Sequence, residues 1–527
     1  MIKQLFLSLI LVVYIAALNG QSVQSASSVI SIGRNGKIAS KNWAANGEKE
    51  AINIVPDYSY AGYKGGGVAI PDVPVKITLS PGKGDQTKII QNAIDKISKL
   101  PLDKNGFRGK VLLRKGTYNI NGTLSIRNEG VVLAGEGQGE NGTVLKATKK
   151  SKQTLISIGG NSKISPISNT EQNIIDDFVG VGASSFSIQS AKGLKLGDTI
   201  LIEKTPNAAW FKVIGMTQYG WTPTAYRIKH ERIITGINGN ELSLNIPVVD
   251  AIYKKYGSGI VYKANITRVV ANCGVESLRL ISDYASETDE NHGWEAVKIG
   301  GAEHCWIRKI TAQYFGQSCV TILNGASFIT VEDCAMLDPK SRAVGGNRYS
   351  FNIVNGSFNL IQRCYTRSGR HDFVTGSRVA GPNVFLDCYA ENGRADTGPH
   401  QRWATGILFD NVFANSIRVI NAKSNGTGHG WTGAQIMLWN CEGNKLEVQI
   451  PPTAMNWNIN TNSAIAESNT LFGKIINVVF NSATQQPRSL YVKQLEDRLG
   501  ATAVNNVTTP EQRRGNLFNI LKQWKGG

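Results

Sequence analysis

The sequence predicts an all-β solenoid built from coils of short strands, and two observations support this fold class. Apolar strands that end in a small residue recur in FITVEDC, FNLIQRC, PNVFLDC and SIRVINA, which end at Cys334, Cys364, Cys388 and Ala422. No helical pattern separates them, and a period of roughly 20 to 35 residues is typical of a strand solenoid. The 56 glycines, which follow no collagen period, indicate many turns.

A nine-residue phrase occurs twice, as CYTRSGRHD from position 364 and as CYAENGRAD from position 388. Equivalent positions of successive coils lie about 4.8 Å apart, so Arg370 and Arg394 are expected to stack. We interpret the shared Cys-Tyr and Gly positions as scaffold. The copies differ where His371 replaces Ala395, and this difference is where we expect chemistry.

The first residues, MIKQLFLSLILVVYIAALNGQSVQSASS, combine Lys3, an apolar run over 5–18 and then small residues. This pattern is typical of a secretory signal peptide, here over residues 1–26, that is cleaved near Gly20 or Ala26. The run is short for an anchoring helix, and no later stretch has the length and apolar character of a membrane span. The sequence therefore predicts a secreted or periplasmic protein.

Charge and cysteine content narrow the expected partners. The formal net charge of +18 favours a polyanion, because such a field raises the local concentration of negatively charged partners. No nucleic-acid-binding motif is present, so we predict an acidic polysaccharide as partner, no nucleic acid, and a monomer. A solubilising surface without a partner is the alternative. The seven cysteines are odd in number and several end apolar strands, which predicts a buried ladder rather than disulfides.

Both ends of the solenoid need a cover, because unpaired strand edges invite association with other chains. The segment DQTKIIQNAIDKISKLP, residues 85–101, predicts a helix that covers the first coil. The segments SLYVKQLEDRLG and TPEQRRGNLFNILKQW predict two helices at the other end, the second with a capping box of Thr509 and Gln512 around Pro510. The expected apolar face of the first helix comprises Ile89, Ile90, Ala93, Ile94, Ile97 and Leu100.

Directly after this first helix comes GKVLLRKGTYNINGTLSIRNEGVVLAGEG. A capping helix followed by VLLRKGTY and VVLAGEG resembles the pectate-lyase-type superfamily of right-handed parallel β-helices, with gaps, over roughly 85–480. The resemblance implies that fold, whereas the superfamily's activities include lyases, hydrolases and phage adhesins. The predicted organisation is a signal peptide over 1–26, an N-terminal extension over 27–84, the β-helix over 85–480 and a helical cap over 481–527.

Residues 178–265 interrupt the coil pattern with hairpin-like strands around NAAWFKVIGMTQYGWTPTAYRIKH. One interpretation is a flap over a substrate groove, with Trp210, Tyr219, Trp221 and Arg227 as contacts. The other is an insertion with its own small core. Both stay open at this point.

Three of the six histidines, His292, His400 and His429, stand at loop ends two or three residues before a tryptophan, and His371 precedes Phe373. Stacking of coils is expected to bring several onto one side of the solenoid. β-Elimination of a uronate needs a cation to neutralise the carboxylate, a base for the C5 proton and an acid for the leaving oxygen. We predict the following catalytic residues: Arg370, His371, Arg394, His400 and His429.

Further cations and rings in the same region are predicted to bind substrate. These residues are Arg378, Arg402, Trp403, Trp431, Tyr365, Tyr389, Trp221 and Arg227. Asp372 and Asp396 stand two residues beyond Arg370 and Arg394, so an Arg–Asp ladder that braces the wall is an alternative reading of the refrain.

The function favoured by these residues is a polysaccharide lyase. Hydrolysis requires two suitably spaced carboxyl groups, and Asp372 and Asp396 are each beside cations that are expected to hold them ionised. Among β-helix lyases, the charge and the His/Arg-rich groove look most like those acting on sulfated glycosaminoglycans such as chondroitin sulfate. Cleavage of pectate or rhamnogalacturonan, or binding of glycans without catalysis, are the alternatives.

A calcium site is a further expectation. Many β-helix lyases use calcium that contacts the substrate carboxylate, and SDYASETDENHGWE offers hard oxygen ligands over 282–295. The predicted ligands are Asp283, Asp289 and Glu290. No zinc motif is present.

Overall fold

The computed structural model describes residues 29–45, 47–48, 53–459, 462–464 and 486–527. The predicted signal peptide and residues 465–480 of the predicted β-helix lie outside this part of the chain. Within it, the predicted fold class is confirmed. The chain is an all-β parallel β-helix that carries an N-terminal helix, an antiparallel β insertion and a C-terminal helical tail.

A large parallel sheet bends around the solenoid and supplies most of its wall. The long strand Gly274–Ser282 shows the bend, since it pairs in parallel with both Val131–Gly135 and Thr143–Ala147. The strands of this large sheet are Val75–Leu79, Gly109–Leu113, Gly116–Ile120, Val131–Gly135, Thr143–Ala147, Gly274–Ser282, Trp306–Gln313, Thr330–Glu332, Ala335–Leu337, Leu360–Gln362, Tyr365–Arg367, Ala380–Glu391, Ala404–Phe413, Ser416–Val419, Gly433–Ala434, Met437–Trp439, Glu442–Val448, Trp457–Ile459 and Asn462–Ala464.

Two smaller parallel sheets complete the coils. The sheet that we call the site sheet consists of Leu124–Ile126, Gln153–Gly159, Gly293–Gly300, Ser318–Ile322, Phe351–Ile353, Phe373–Ser377 and Gly398–Gln401. A column of short strands, which we call the turn sheet, consists of Val270–Ala271, Ala302–Glu303, Ala326–Ser327 and Gly356–Ser357. The coils between Leu124 and Gln401 therefore pass from the large sheet through the site sheet, and four of the described coils also pass through the turn sheet.

The core confirms the predicted cysteine ladder. All seven cysteines are free and fully buried among the apolar side chains that fill the solenoid. The two copies of the refrain lie on neighbouring coils, with Tyr365 directly opposite Tyr389 in the parallel register. Buried amides also stack, since the Asn383 Oδ1 atom accepts hydrogen bonds from the backbone N–H and Nδ2 of Asn359 at 3.0 and 3.1 Å.

The predicted N-terminal helix forms over Thr87–Ser98 and covers the first coils. Ile90, Ile94 and Ile97 are fully buried in the solenoid core, whereas Ile89 is 50% exposed, so the apolar face is narrower than predicted. The solenoid begins within the predicted extension, because Val75–Leu79 already pairs with the next strand in parallel. The extension also contributes the hairpin of Ile30–Ile32 and Ile38–Ser40 and the 3-10 turn Tyr63–Gly65.

The insertion is wider than the predicted 178–265, since its antiparallel strands run from Lys163 to Thr267. Its sheet closes over a core of its own that includes Ile188, Ile202 and Val261. A second cluster joins the insertion to the solenoid. The interpretation as an insertion with its own small core is confirmed, and the flap over a substrate groove stays a prediction. The elements of the insertion are the strands Lys163–Pro166, Gln172–Asn173, Phe178–Val179, Ser185–Ser187, Thr199–Lys204, Lys229–Asn238, Glu241–Leu244, Ile252–Tyr253 and Gly259–Thr267, the helix Ala208–Val213, and the 3-10 turns Thr217–Tyr219, Thr224–Tyr226 and Lys254–Tyr256.

The C-terminal tail forms four short helices rather than the two predicted: Leu490–Leu499, Ala501–Val507, Pro510–Arg514 and Phe518–Trp524. The capping box of Thr509 and Gln512 is present. The helices lie along the outer surface of the large sheet, contrary to the expected end cover. The reason is that this surface is apolar, and its residues pack against the tail. No helix in the described ranges has the length and apolar character needed to cross a membrane.

Candidate active site

Three imidazoles stack along one side of the last coils, and we call His371, His400 and His429 the histidine row. The ring centroids are 4.6 Å apart between His371 and His400, and 4.9 Å apart between His400 and His429. His371 precedes the strand Phe373–Ser377, His400 lies in the strand Gly398–Gln401, and His429 follows the short helix Asn425–Gly428. The solenoid thus converts a sequence spacing into a contact, as predicted.

Tyr349 extends the row and was missed by the sequence analysis. Its ring centroid lies 5.0 Å from His371, and its hydroxyl oxygen lies 3.1 Å from the Nε2 atom of His400. The sequence does contain a signal that Tyr349 is equivalent to His371, because RYSF over 348–351 matches RHDF over 370–373. The register pairs Phe351 with Phe373, which places Tyr349 one coil before His371.

The tautomer of His371 follows from its hydrogen bond. Its Nδ1 atom lies 2.6 Å from the backbone carbonyl oxygen of Asp396 and 3.8 Å from the Asp396 Oδ1 atom. A carbonyl oxygen only accepts, so Nδ1 carries the proton and the Nε2 atom of the neutral ring has a free lone pair. This Nε2 atom is buried and has no hydrogen-bond partner in the described part of the chain.

Two arginines flank the row. Arg370 donates to the carbonyl oxygen of Gly345. Arg402 donates to the Gln401 Oε1 atom at 2.5 Å and to the carbonyl oxygen of Thr427 at 2.6 Å. Both guanidinium groups are held in place by neutral acceptors, so they keep their positive charge available beside the imidazoles.

Burial and these neighbours keep the row neutral at pH 7. Burial, together with the adjacent imidazoles and arginines, lowers the pKa of His400 to about 3. Burial and Arg402 lower the pKa of His429, and burial lowers the pKa of His371. Burial also raises the pKa of Tyr349, which keeps its hydroxyl protonated. The row therefore combines neutral imidazoles with a positive surrounding field.

The refrain's arginines stack as predicted, since the backbone N–H of Ala395 donates to the Arg370 carbonyl oxygen at 3.0 Å. Arg348 stands at the same place one coil earlier, with the Arg370 backbone N–H donating to its carbonyl oxygen at 2.8 Å. Arg394 is exposed, and its side chain contacts no member of the row among the described residues. Of the two predicted arginines, Arg370 alone lies at the row.

The alternative of an Arg–Asp ladder is wrong. Asp372 is buried and accepts hydrogen bonds from the hydroxyls of Ser350 and Thr366, both at 2.7 Å. Burial raises the pKa of Asp372 to about 6, so the expectation that neighbouring cations lower the pKa of this carboxyl is also wrong. Asp396 lies against His371 instead of an arginine.

Three predicted sugar contacts are buried and cannot offer ring faces. Trp221, Trp403 and Trp431 are at most 4% exposed, because they form the aromatic cluster that joins the insertion to the solenoid. The indole N–H of Trp431 donates to the Ile214 carbonyl oxygen at 2.8 Å. The indole N–H of Trp221 donates to the carbonyl oxygen of Gly428 at 2.9 Å. These tryptophans anchor the insertion beside the row.

The prediction that Tyr365 and Tyr389 bind substrate is wrong as well. They belong to what we call the tyrosine stack, formed with Phe413 on the outer surface of the large sheet. Ring planes are within 8° of parallel, and Phe518 of the C-terminal tail packs on Tyr389 and Phe413. The tail therefore covers this stack.

The predicted calcium ligands do not converge. Asp283 pairs with Lys146 at 2.9 Å, and Glu290 pairs with Lys152 at 3.1 Å. Asp289 accepts hydrogen bonds from the backbone N–H groups of its own loop. The described residues include no group of three His, Cys, Asp or Glu side chains that could hold a metal ion.

Arg227 and Arg378, also predicted to bind substrate, lie together but not at the row. They line a cavity of about 450 Å³ between the insertion and the turn sheet. Among the described residues predicted to bind substrate, Arg402 is the cation whose charge acts on the row, since it helps lower the pKa of His400 and His429.

Comparison with known proteins yields structural likeness only. No protein-family model matches the chain, and no curated protein matches its sequence. The tailspike gp49 from Pseudomonas phage LKA1 superposes with a TM-score of 0.42 and 13% identity over 68% of this chain and 54% of that chain. The catalytic domain of a GH87 alpha-1,3-glucanase in complex with nigerose gives a TM-score of 0.37 and 9% identity over 75% and 60%.

A third similar structure is the Gp54 tailspike of Acinetobacter baumannii bacteriophage AP22 in complex with A. baumannii capsular saccharide. Its TM-score is 0.25, with 10% identity over 69% of this chain and 66% of that chain. The chain thus spans between about half and two thirds of the length of these three structures. At this level the likeness carries no argument about substrate or chemistry.

Proposed function

We propose that the chain is a secreted polysaccharide lyase that cleaves a uronate-containing acidic polysaccharide by β-elimination at the histidine row. The observation that carries this proposal is a row of three neutral imidazoles, two of which contact Tyr349, with Arg370 and Arg402 beside the row. A base, an acid and cations for a carboxylate are the three groups that this elimination requires.

The elimination requires cations, because the C5 proton of a uronate becomes acidic only when its carboxylate is neutralised. Arg370 and Arg402 supply positive charge at the row, and the same charge helps lower the pKa of His400. The two arginines disfavour a second positive charge on His400 but would attract a bound carboxylate. An anionic ligand is therefore favoured at this place over a neutral one.

His371 is the proposed base. Its Nδ1 proton is fixed on the Asp396 carbonyl oxygen, so its Nε2 atom, which is buried and unpartnered in the described residues, takes the C5 proton once the side chains over it move aside for the substrate. The electron pair of that C–H bond forms the C4=C5 double bond, and the bond from C4 to the glycosidic oxygen breaks. Tyr349, whose hydroxyl stays protonated, is the proposed donor to the leaving oxygen.

Hydrolysis is less well supported, because it requires two carboxyl groups across the scissile bond. Asp396 is the one carboxylate in contact with the row among the described residues. Asp372, the second candidate, is buried beneath Ser350 and Thr366.

The net charge of +18 favours a densely anionic polymer, and we propose a sulfated glycosaminoglycan such as chondroitin sulfate as the substrate class. Pectate and rhamnogalacturonan satisfy the same chemistry with carboxylates alone. Export rests on the leader predicted over residues 1–26.

The test is incubation of the purified chain with chondroitin sulfate, polygalacturonate, rhamnogalacturonan and a neutral dextran as control. We expect ultraviolet absorbance of the 4,5-unsaturated uronate to rise with at least one acidic polymer and with no neutral one. Shortened chains without this absorbance would indicate hydrolysis. Binding without any shortening would indicate a glycan-binding protein, and both outcomes would overturn the proposal. A parallel series with chelator measures calcium dependence directly.

A further inference from the structure

The cavity of about 450 Å³ lies where the insertion meets the solenoid, and no residue of the histidine row lines it. Strands of the insertion form one wall and the turns beside the turn sheet form the other. Its volume lies within the range of about 300 to 1,000 Å³ that is usual for small-molecule sites. The hydroxyl and amide groups that line it belong to Ser162, Asn324, Ser327, Asn355, Ser357 and Ser377.

Cations from both walls face this cavity. Arg227 and Lys229 come from the insertion, Arg268 directly follows the last strand of the insertion, Gly259–Thr267, and Arg378 comes from the solenoid. Glu231 is the one carboxylate of the lining. Convergence of four cations from separate elements on one polar cavity is the pattern expected of an anion-binding site.

A buried carboxylate, that of Glu203, holds Arg227 in place. Glu203 is 4% exposed, and its Oε1 atom lies 2.9 Å from the Arg227 Nε atom. The Tyr262 hydroxyl donates to the same carboxylate at 2.7 Å. This contact uses Nε of Arg227 and leaves its two terminal amino groups without a hydrogen-bond partner in the described residues.

Arg268 is held in a similar way. Its Nη2 atom lies 2.6 Å from Glu231, its Nη1 atom lies 3.3 Å from Glu303, and its buried Nε atom has no partner among the described residues. The two carboxylates thus fix the Arg268 guanidinium at the cavity. The cavity therefore holds cations whose positions are set by the protein before a ligand binds.

The cavity adjoins the histidine row. Arg378 of the cavity and Arg402 of the row occupy consecutive coils, and the Arg378 backbone N–H donates to the Arg402 carbonyl oxygen at 2.9 Å. Tyr226 of the insertion stands over this junction, with the Arg378 guanidinium carbon 5.4 Å from its ring centroid. A polymer bound at the row thus has a neighbouring polar cavity beside it.

We infer that this cavity binds an acidic sugar unit of the polysaccharide, with its carboxylate or sulfate between Arg227 on the insertion and Arg378 on the solenoid. The assignment to a polysaccharide rests on the proposed function. The preference of the cavity for a polar, anionic ligand follows from the cations, hydroxyls and amides that line it. Because the two arginines belong to different walls, the ligand also ties the insertion to the solenoid.

The test is calorimetric titration in the His371→Ala background, where turnover does not consume the ligand. The probes are a galacturonate hexasaccharide, which carries carboxylates alone, and a chondroitin sulfate hexasaccharide, which carries both anions. We expect Arg227→Gln to weaken binding of at least one probe about tenfold, as loss of one charge-assisted contact predicts. Arg227→Lys should restore part of the affinity. The probe that responds identifies the anion.

Arg114→Gln is the matched control, because Arg114 is also half-exposed and pairs with a glutamate, Glu136, but lies on the first coils. Its affinity should equal that of the parent. Retained folding of Arg227→Gln is checked by circular dichroism. Unchanged affinity in folded Arg227→Gln, or no binding of either probe, overturns the inference. Arg227-dependent binding without elimination product from the wild type would leave the cavity assignment standing and reject the lyase.

Discussion

Two stacks of rings run along this solenoid, and they differ in almost every physical respect. In the tyrosine stack the planes of Tyr365 and Tyr389 are 8° apart, and the C-terminal tail covers the rings. In the histidine row the planes of neighbouring imidazoles are about 61° and 62° apart, and no tail covers them. The tyrosine stack packs parallel apolar ring faces on one another, whereas the row holds imidazoles in edge-to-face contact.

The comparison separates scaffold from site. Both stacks arise from the same coil geometry, so stacking alone says nothing about function. The tyrosine stack is apolar and satisfied by its cover, which makes it a contribution to stability. The row is surrounded by Arg370 and Arg402 and holds a buried nitrogen without a partner among the described residues, which stabilising packing does not require.

The largest expected effect is that of His371→Ala, which tests whether the row is the chemical site. We expect kcat of elimination to fall by about 10² to 10⁴-fold, the usual contribution of general base catalysis, with little change in folding. His304→Gln is the control, because His304 is a partly buried histidine beside the turn sheet and away from the row. Equal activity of the two variants in the unsaturated-uronate assay would remove His371 from the mechanism.

Tyr389→Ala should lower the stability of the chain and leave its activity unchanged. Removing a buried ring from the tyrosine stack is expected to lower the free energy of unfolding by about 3 kcal/mol. Activity per folded molecule should remain that of the wild type, because the stack lies under the tail. Thermal unfolding and the elimination assay measure the two effects, and Tyr389→Phe, which keeps the ring, should be close to wild type. A fall in specific activity without a fall in stability would contradict this division.

A smaller effect is expected from pH. The pKa of His400 is about 3 in the folded chain, against 6.5 for the ordinary imidazole. Below pH 6.5 the unfolded chain therefore binds a proton that the folded chain does not, and stability falls as the pH decreases from 6.5 toward 3. At pH 5 this loss is about 2 kcal/mol, since each pKa unit corresponds to about 1.36 kcal/mol.

His400→Asn should remove this part of the acid sensitivity. The measurement is the difference in unfolding free energy between pH 8 and pH 5 for wild type and variant, with Tyr389→Phe as a control outside the row. The variant is expected to lose less stability on acidification than the wild type. An identical pH dependence would mean that His400 titrates in the folded chain as it does in water.

The fold was predictable because its signal is local and repeated. Each coil has the same apolar strand and the same small buried residue, as at Cys334, Cys364 and Cys388, so the period survives without knowledge of distant contacts. The first helix was predictable for the same reason, from a 3.6-residue apolar pattern. The position of the tail was not, because an amphipathic helix does not reveal which apolar surface it will cover.

The site was predictable only in part. Stacking by coil brought His371, His400 and His429 together as expected. Tyr349 was not predicted because its coil has Tyr where the next coil has His371. The strand register shows that the two positions are equivalent. Trp403 and Trp431 resemble sugar-binding rings in sequence, yet the insertion buries them, and that contact joins residues about 200 positions apart.

The sequence by itself determined the solenoid, its buried cysteine ladder and the alignment of the histidines, because these depend on repetition along the chain. Tertiary structure alone decided which of the aligned residues stay accessible. The C-terminal tail covers the tyrosine stack and the insertion buries the tryptophans, whereas His400 and His429 of the row stay partly exposed beside the arginine-lined cavity. Burial depends on which distant apolar surfaces meet, and desolvation then sets the pKa values that separate a chemical site from a packed wall.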